Sequence, residues 1–241
     1  MTLIATIFPL LCWFAYNYGI PLIERRRPSL SVIMSMQRRR WVANMAARES
    51  PLDAILSGNL MSSISFLAST TVLLILAIFA ALGQLPAVVT TLRTAGIGPV
   101  FSASELQLHF VVMLAIFVLA FFAFTLALRQ FNHFCIMIGA MDHSRTATDE
   151  EIDAIARLNT MAARNFNNGI RAYYFSVATV AWFIADWAAI IASLAVVIVL
   201  LHREFFSSAH RIAASATLIA RRGGLGDAPA PAEPPRTDRS L

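Results

Sequence analysis

Four stretches of this chain run for the length of a bilayer with almost no charge, and that constraint precedes any other. Residues 2–23, 54–92 and 106–128 contain no Asp, Glu, Lys or Arg, and 172–202 contains only Asp186. A hydrocarbon core about 30 Å thick is crossed by about 20 apolar helical residues. Backbone placed there must satisfy its own hydrogen bonds, which a helix does. The pattern predicts an all-α integral membrane bundle of four transmembrane helices, spanning about 2–23, 54–82, 105–128 and 172–201, within a domain covering 1–222. Composition agrees, with 58% of residues hydrophobic and 14% charged, against roughly 25% charged in soluble domains. The first span lacks a basic n-region and an A-x-A site, so it reads as a retained anchor and not a secretory signal.

All 19 basic residues are arginine, which excludes Schiff-base and other lysine chemistry. Seven of them lie between the first two spans: Arg25, Arg26, Arg27, Arg38, Arg39, Arg40 and Arg48. The segment after the third span adds Arg129, Arg145, Arg157, Arg164 and Arg171, whereas the second loop holds Arg93 alone. Arginine collects in cytoplasmic loops, so loops one and three are expected inside and both termini outside. The tail opposes this arrangement, because it carries Arg203, Arg211, Arg221, Arg222, Arg236 and Arg239.

Several helix ends are written locally. Ser29 or Ser31 can cap a basic helix with Leu30, Ile33, Met34, Trp41 and Met45 on its apolar face. The expectation is that this face lies among headgroups, with the arginines drawing anionic lipid. Ser50 before Pro51 caps the second span, and Gly83, Pro86, Gly96, Gly98 and Pro99 mark a loop. Ser102 with Glu105 is a capping box opening the third span, which is expected to continue to Ile138 and stop at Gly139. Thr148 begins another helix, with Asp149, Glu150 and Glu151 at its positive end. Its stripe of Ile152, Ile155, Ala156, Ala163 and Phe166 must bury against the membrane surface or the protruding end of the third span. A further amphipathic stripe follows the fourth span, and residues 223–241 have the Pro, Ala and Gly content of a disordered tail.

Two sets of residues are candidates for function. Arg129-Gln130-Phe131-Asn132 is echoed by Arg164-Asn165-Phe166-Asn167. Arg129, Asn132, Arg164, Asn167 and Arg171 would together form a donor-rich site for an anion or a lipid headgroup; the alternative is headgroup anchoring around a frayed turn at Asn167-Asn168-Gly169. Asp186, placed at the middle of the fourth span, is costly there when ionised. It is expected either to be protonated and to bridge helices, or to join a relay with groups such as Asn17, Tyr16 or His109. His133, Asp142 and His143 have no ligand spacing, and Cys12 and Cys135 read as packing residues, so no metal or cofactor is expected. No P-loop, HExxH, GxSxG or Rossmann fingerprint occurs.

Arg40-Trp41, Arg48, Arg129-Gln130-Phe131-Asn132, the string from Phe166 to Phe175, Trp182-Phe183 and Arg203-Glu204-Phe205 resemble the bacterial and plant membrane family catalogued as domain of unknown function 599. The resemblance covers roughly residues 2–208. It implies a membrane protein of about four helices with no established activity, so no catalytic residue carries over. It also implies an apolar residue or proline near Asp186, which sets that carboxylate outside any shared mechanism and favours the arginine and asparagine cluster. The expectation is a non-enzymatic interaction or assembly protein of the bacterial plasma membrane. Its partners would be membrane lipids and a protein partner or a second copy, and not nucleic acid. Small-solute or lipid transport through the bundle is the alternative.

Overall fold

A computed structural model describes residues 2–48, 51–96 and 102–222. The cap assigned to Ser50, the turn at Gly98-Pro99 and the tail from Gly223 lie outside the described residues. The chain forms α1 (Thr2–Glu24), α2 (Leu30–Ala46), α3 (Pro51–Gly83), α4 (Leu85–Thr94), α5 (Ala103–Gly139), α6 (Asp149–Val180), a 3-10 turn (Ala181–Phe183), α7 (Asp186–Phe205) and α8 (Ser208–Arg222). Four segments are long and apolar enough to cross a membrane: α1, α3, α5 and the stretch beginning with α7. Large apolar side chains such as Ile4 and Leu11 on α1, Phe66 and Leu73 on α3, Phe122 on α5 and Ile191 on α7 stand exposed on the outside of the bundle. On a protein of this composition such a surface is the one that meets lipid.

The local signals at several helix ends hold, but the loop marked by Gly83, Pro86 and Gly96 contains the helix α4, with Pro86 in its first turn. Ser29 is the N-cap of α2 and its side chain accepts from the Val32 amide. Ser102–Glu105 and Thr148–Glu151 are reciprocal capping boxes, and α5 runs to Gly139. Arg145 pairs with Glu151. That guanidinium, with the Thr148 backbone, holds the Glu151 carboxyl down at about 2. This cap therefore keeps its charge well below the usual carboxylate range and loses it only as pH falls towards that value.

The start of the fourth span is where the expectation fails. Residues 172–180 belong to α6, a continuous 32-residue helix, and the chain breaks at 181–185 before α7 begins. Ala185 is extended, with φ −169° and ψ 155°. Just before the break, the fully buried Trp182 stacks on His109 with ring centroids 4.1 Å apart. α6 lies antiparallel to α5 along most of its length. His109 Nε2 meets the Thr179 carbonyl at 3.0 Å near one end. Phe117 meets Tyr173 in the middle, and Asn165 Nδ2 donates to Gln130 Oε1 at 2.8 Å further along.

What buries α6 is its row of small residues. Ala162, Gly169 and Ser176 recur every seven residues in step with Ile155, and all four are buried, the period that keeps one seam of a helix against its partner. Small side chains at such a seam let helices in a membrane approach closely. The approach is close at Gly169, where a Cβ would lie 2.5 Å from Cε1 of the fully buried Phe124 ring. The expected fray at Asn167-Asn168-Gly169 is absent because this glycine is a packing notch and not a helix end.

With α6 also running between the ends of the bundle, the chain makes five such runs, four of them begun by the apolar candidate spans α1, α3, α5 and α7 and one by the more polar α6. Thr2 Oγ1 donates to Asp186 at one end. At the other, the Ser31 amide donates to Glu204 Oε1 at 3.1 Å, Gln37 to Thr217 at 2.8 Å, and Arg27 stacks over Phe206. α8 thus sits beside α2 at the arginine-rich end, so that Arg203 and Arg211 lie with the arginines of the first loop and not opposite them. α2 also differs from expectation: Ile33, Val42 and Met45 are buried within the bundle, so most of its apolar face meets protein and not headgroups. Of the two surfaces proposed for the start of α6, the protruding end of α5 is the one used, since Ile155 and Ala156 share a core with Phe131 and Phe134.

Two outcomes test this arrangement. Gly169→Ala should lower stability by about 1–3 kcal/mol through overpacking, despite the gain of roughly 1 kcal/mol in helix propensity, with Phe124→Leu restoring part of it in a detergent thermal melt. In a chain with Cys12 and Cys135 replaced by alanine, cysteines introduced as Arg25→Cys and Ser208→Cys should react with an impermeant maleimide from the same face of sealed vesicles, and Gln84→Cys from the opposite face. Labelling of 25 and 208 from opposite faces would contradict the five-run path.

Candidate functional site

The arginine-rich end carries a recess of about 390 Å³ where α1, α2, α6 and α7 meet. Each helix contributes for a local reason. Tyr16 lies on the buried face of α1 and Arg38 one turn before the buried Val42 on α2. Asn167, Ile170, Arg171 and Tyr174 follow one another at helical spacing on α6, and Arg203 with Glu204 ends α7. Leu30, Met34, Phe166 and Leu200 complete an apolar half. The lining therefore carries three guanidinium groups and one carboxylate.

The charges are only partly matched. Arg171 donates to Asn17 Oδ1 at 3.0 Å and to Asn168 Oδ1 at 3.4 Å, and its guanidinium lies 5.0 Å from the centroid of the Tyr16 ring. Arg203 donates to the Tyr174 hydroxyl at 3.0 Å. Among the described residues, ion pairs within 4.0 Å involve Arg39, Arg48 and Arg145, and none involves Arg38, Arg171 or Arg203. Burial and the neighbouring Arg164 guanidinium push Arg38 below the ordinary arginine value. A half-buried cation with a like-charged neighbour is an electrostatic cost that an anion in the recess would relieve.

Asn17 to Glu24 is one-way travel of seven residues along α1, or about 10 Å. Arg171 therefore reaches the recess from within the apolar depth of the bundle, held there by side chains of α1. Trp13 Nε1 also donates to the Asn168 carbonyl at 3.3 Å. These contacts, with that of Asn165 to Gln130, give Asn165, Asn168 and Arg171 tertiary partners, which is how so polar a stretch lies inside a bundle of apolar helices.

The five residues proposed from the sequence are not one cluster. Asn167 and Arg171 line the recess. Arg164 lies in an adjoining cleft with Arg39, Asp153 and Arg157, close enough to act on Arg38. Arg129 and Asn132 are exposed on α5 and line neither. The echoed segments do meet, but through Gln130 and Asn165. Arg38, Arg203, Tyr16 and Tyr174 were missed, and only a seven-residue count along α6 placing 167, 171 and 174 together would have hinted at the last.

Asp186 is not at mid-span. It opens α7, half-buried, with Oδ2 accepting from Thr2 Oγ1 at 3.1 Å, where a helix N-terminus favours a carboxylate. Asn17, Tyr16 and His109, its supposed relay partners, are engaged elsewhere with Arg171, with the recess and with Thr179. No three His, Cys, Asp or Glu side chains converge as metal ligands among the described residues. His133 is exposed, and Asp142 closes a local turn by accepting from the Ser144 amide. Cys135 contacts Met61 with sulfurs 3.8 Å apart.

The fold and the recess define a helical membrane protein with an arginine-lined cavity at one end. Residues 4–209 match the family described as Protein of unknown function, DUF599, and the chain belongs to it. No curated protein and no solved structure matches the chain.

Arg171→Gln should cost about 1–3 kcal/mol, the penalty for stripping partners from buried polar groups, because it strands Asn17 and Asn168. Arg203→Gln, at an exposed position, should change the melting temperature little. Equal losses from both would show that the recess is held together by charge alone.

Proposed function

We propose that this chain is a non-enzymatic interaction protein of the bacterial plasma membrane that holds an anion in the recess at its cytoplasmic end. The single observation that carries the reading is the grouping of Arg38, Arg171 and Arg203 around one cavity with Glu204 as the lone carboxylate of its lining. Guanidinium groups recognise phosphate and carboxylate oxygens through paired donors, so the recess is built to retain such a group. The cytoplasmic assignment follows from the arginine-rich loops, now joined by α8. Fully buried Phe175 and Trp182 follow the recess along the chain towards Asp186, which supports holding over conduction as the role. A partner protein or second copy would meet the same face through α2 and α8.

Native mass spectrometry of the protein extracted in mild detergent tests the reading. Wild-type protein should carry an anionic adduct that the Arg38→Gln/Arg203→Gln double variant loses at unchanged folding. Absence of an adduct, or an adduct indifferent to the double variant, would contradict it.

A further inference from the structure

We infer that the anion is the phosphate of a membrane phospholipid, seated with its headgroup in the recess and one acyl chain along the groove between α6 and α7. The inference rests on the anion-binding reading above and adds the class of ligand. Its first support is that the recess is amphipathic, with arginines facing an apolar half that a free inorganic anion would gain nothing from.

The second support is where the walls lead. Arg203 Nη1 bonds the Tyr174 hydroxyl at 3.0 Å, which ties the recess-facing side of α7 to that of α6. One turn further from the arginine-rich end on α6 stands Val177, 69% exposed, and one turn further on α7 stands Val199, 63% exposed. Positions 170, 174 and 177 share one face of α6, since residues three and four apart are neighbours on a helix. An apolar stripe thus runs outward from the charged recess along the side of the bundle that meets lipid. A molecule with a phosphate at one end and a hydrocarbon chain at the other matches that sequence of surfaces, and burying the chain there is favourable in proportion to its area.

The third support is Glu204. Its Oε1 accepts from the Ser31 amide at 3.1 Å, which fixes the carboxylate in the lining beside three arginines. A bare phosphate would be repelled by it, whereas a headgroup that carries a hydroxyl or amine donor beyond the phosphate supplies a partner for that carboxylate. Phosphatidylglycerol has both parts, the phosphate for the guanidinium groups and the glycerol hydroxyls for Glu204, and serves as the probe.

The test uses the full chain stripped of co-purified lipid by detergent exchange. Binding of phosphatidylglycerol in mixed micelles and of soluble glycerol 3-phosphate is followed by tryptophan fluorescence and by native mass spectrometry. One phosphatidylglycerol per chain should bind, about tenfold more weakly in Arg203→Gln, the loss expected for one hydrogen bond to a charged group. Val177→Ser should weaken the lipid and leave glycerol 3-phosphate unaffected. If glycerol 3-phosphate binds as tightly as the lipid and Val177→Ser changes neither, the recess holds a soluble anion and the lipid inference fails while the anion reading stands. If neither probe binds, both fail. Lipid binding that ignores Arg203→Gln and Arg38→Gln would place the lipid elsewhere and overturn the inference.

Discussion

The contact between the Gly169 notch of α6 and the Phe124 ring of α5 underlies the rest of the architecture. It allows a helix whose face carries Arg164, Asn165, Asn167, Asn168 and Arg171 to sit against one of the most apolar helices in the chain. Without a side chain at 169 the two axes approach, and the flanking polar groups come within reach of Gln130, Asn17 and Trp13. Close packing in membrane helices supplies what the hydrophobic effect cannot, because lipid tails are as apolar as leucine. Everything at the arginine-rich end follows from α6 being inside the bundle.

One consequence is the path of the chain. A buried α6 returns the polypeptide to the end from which α1 started, so that α7 and α8 come back to the arginine-rich end. The distribution of arginine then has one sense: α2, the start of α6 and α8 lie together, and α4 with its single arginine lies apart. A second consequence is the recess itself. Tyr16, Arg38, Arg171 and Arg203 come from four helices that span nearly the whole chain, and α6 in its buried position touches each of the other three.

The contrast between Arg171 and Asp186 illustrates how environment and not identity sets a charged residue's role. The sequence places Asp186 within the hydrocarbon region and Arg171 in the loop just before it, and the structure reverses the two. Asp186 escapes the cost of burial because the helix breaks just ahead of it, giving it a helix N-terminus and Thr2. Arg171 stays deep and is matched by side-chain amides and an aromatic face in place of an acid. Amides leave its positive charge uncancelled, which is why the recess retains its attraction for anions.

With α4 within the supposed loop an exception, the sequence by itself determined most properties that depend on neighbours close along the chain. These are the all-helical membrane class, the apolar runs of α1, α3 and α5, the caps at Ser29, Ser102 and Thr148, the stop at Gly139, and two of the recess residues, Asn167 and Arg171. Each rests on local composition, helical spacing or a hydrogen bond reaching three residues. Tertiary structure alone decided the depth of α6, the break before Asp186, the separation of Arg129 and Asn132 from the recess, and the recruitment of Arg38 and Arg203. The physical reason is that a polar helix can be buried only if partners distant in sequence supply its hydrogen bonds and leave room for its backbone. Neither condition is visible in the helix's own residues.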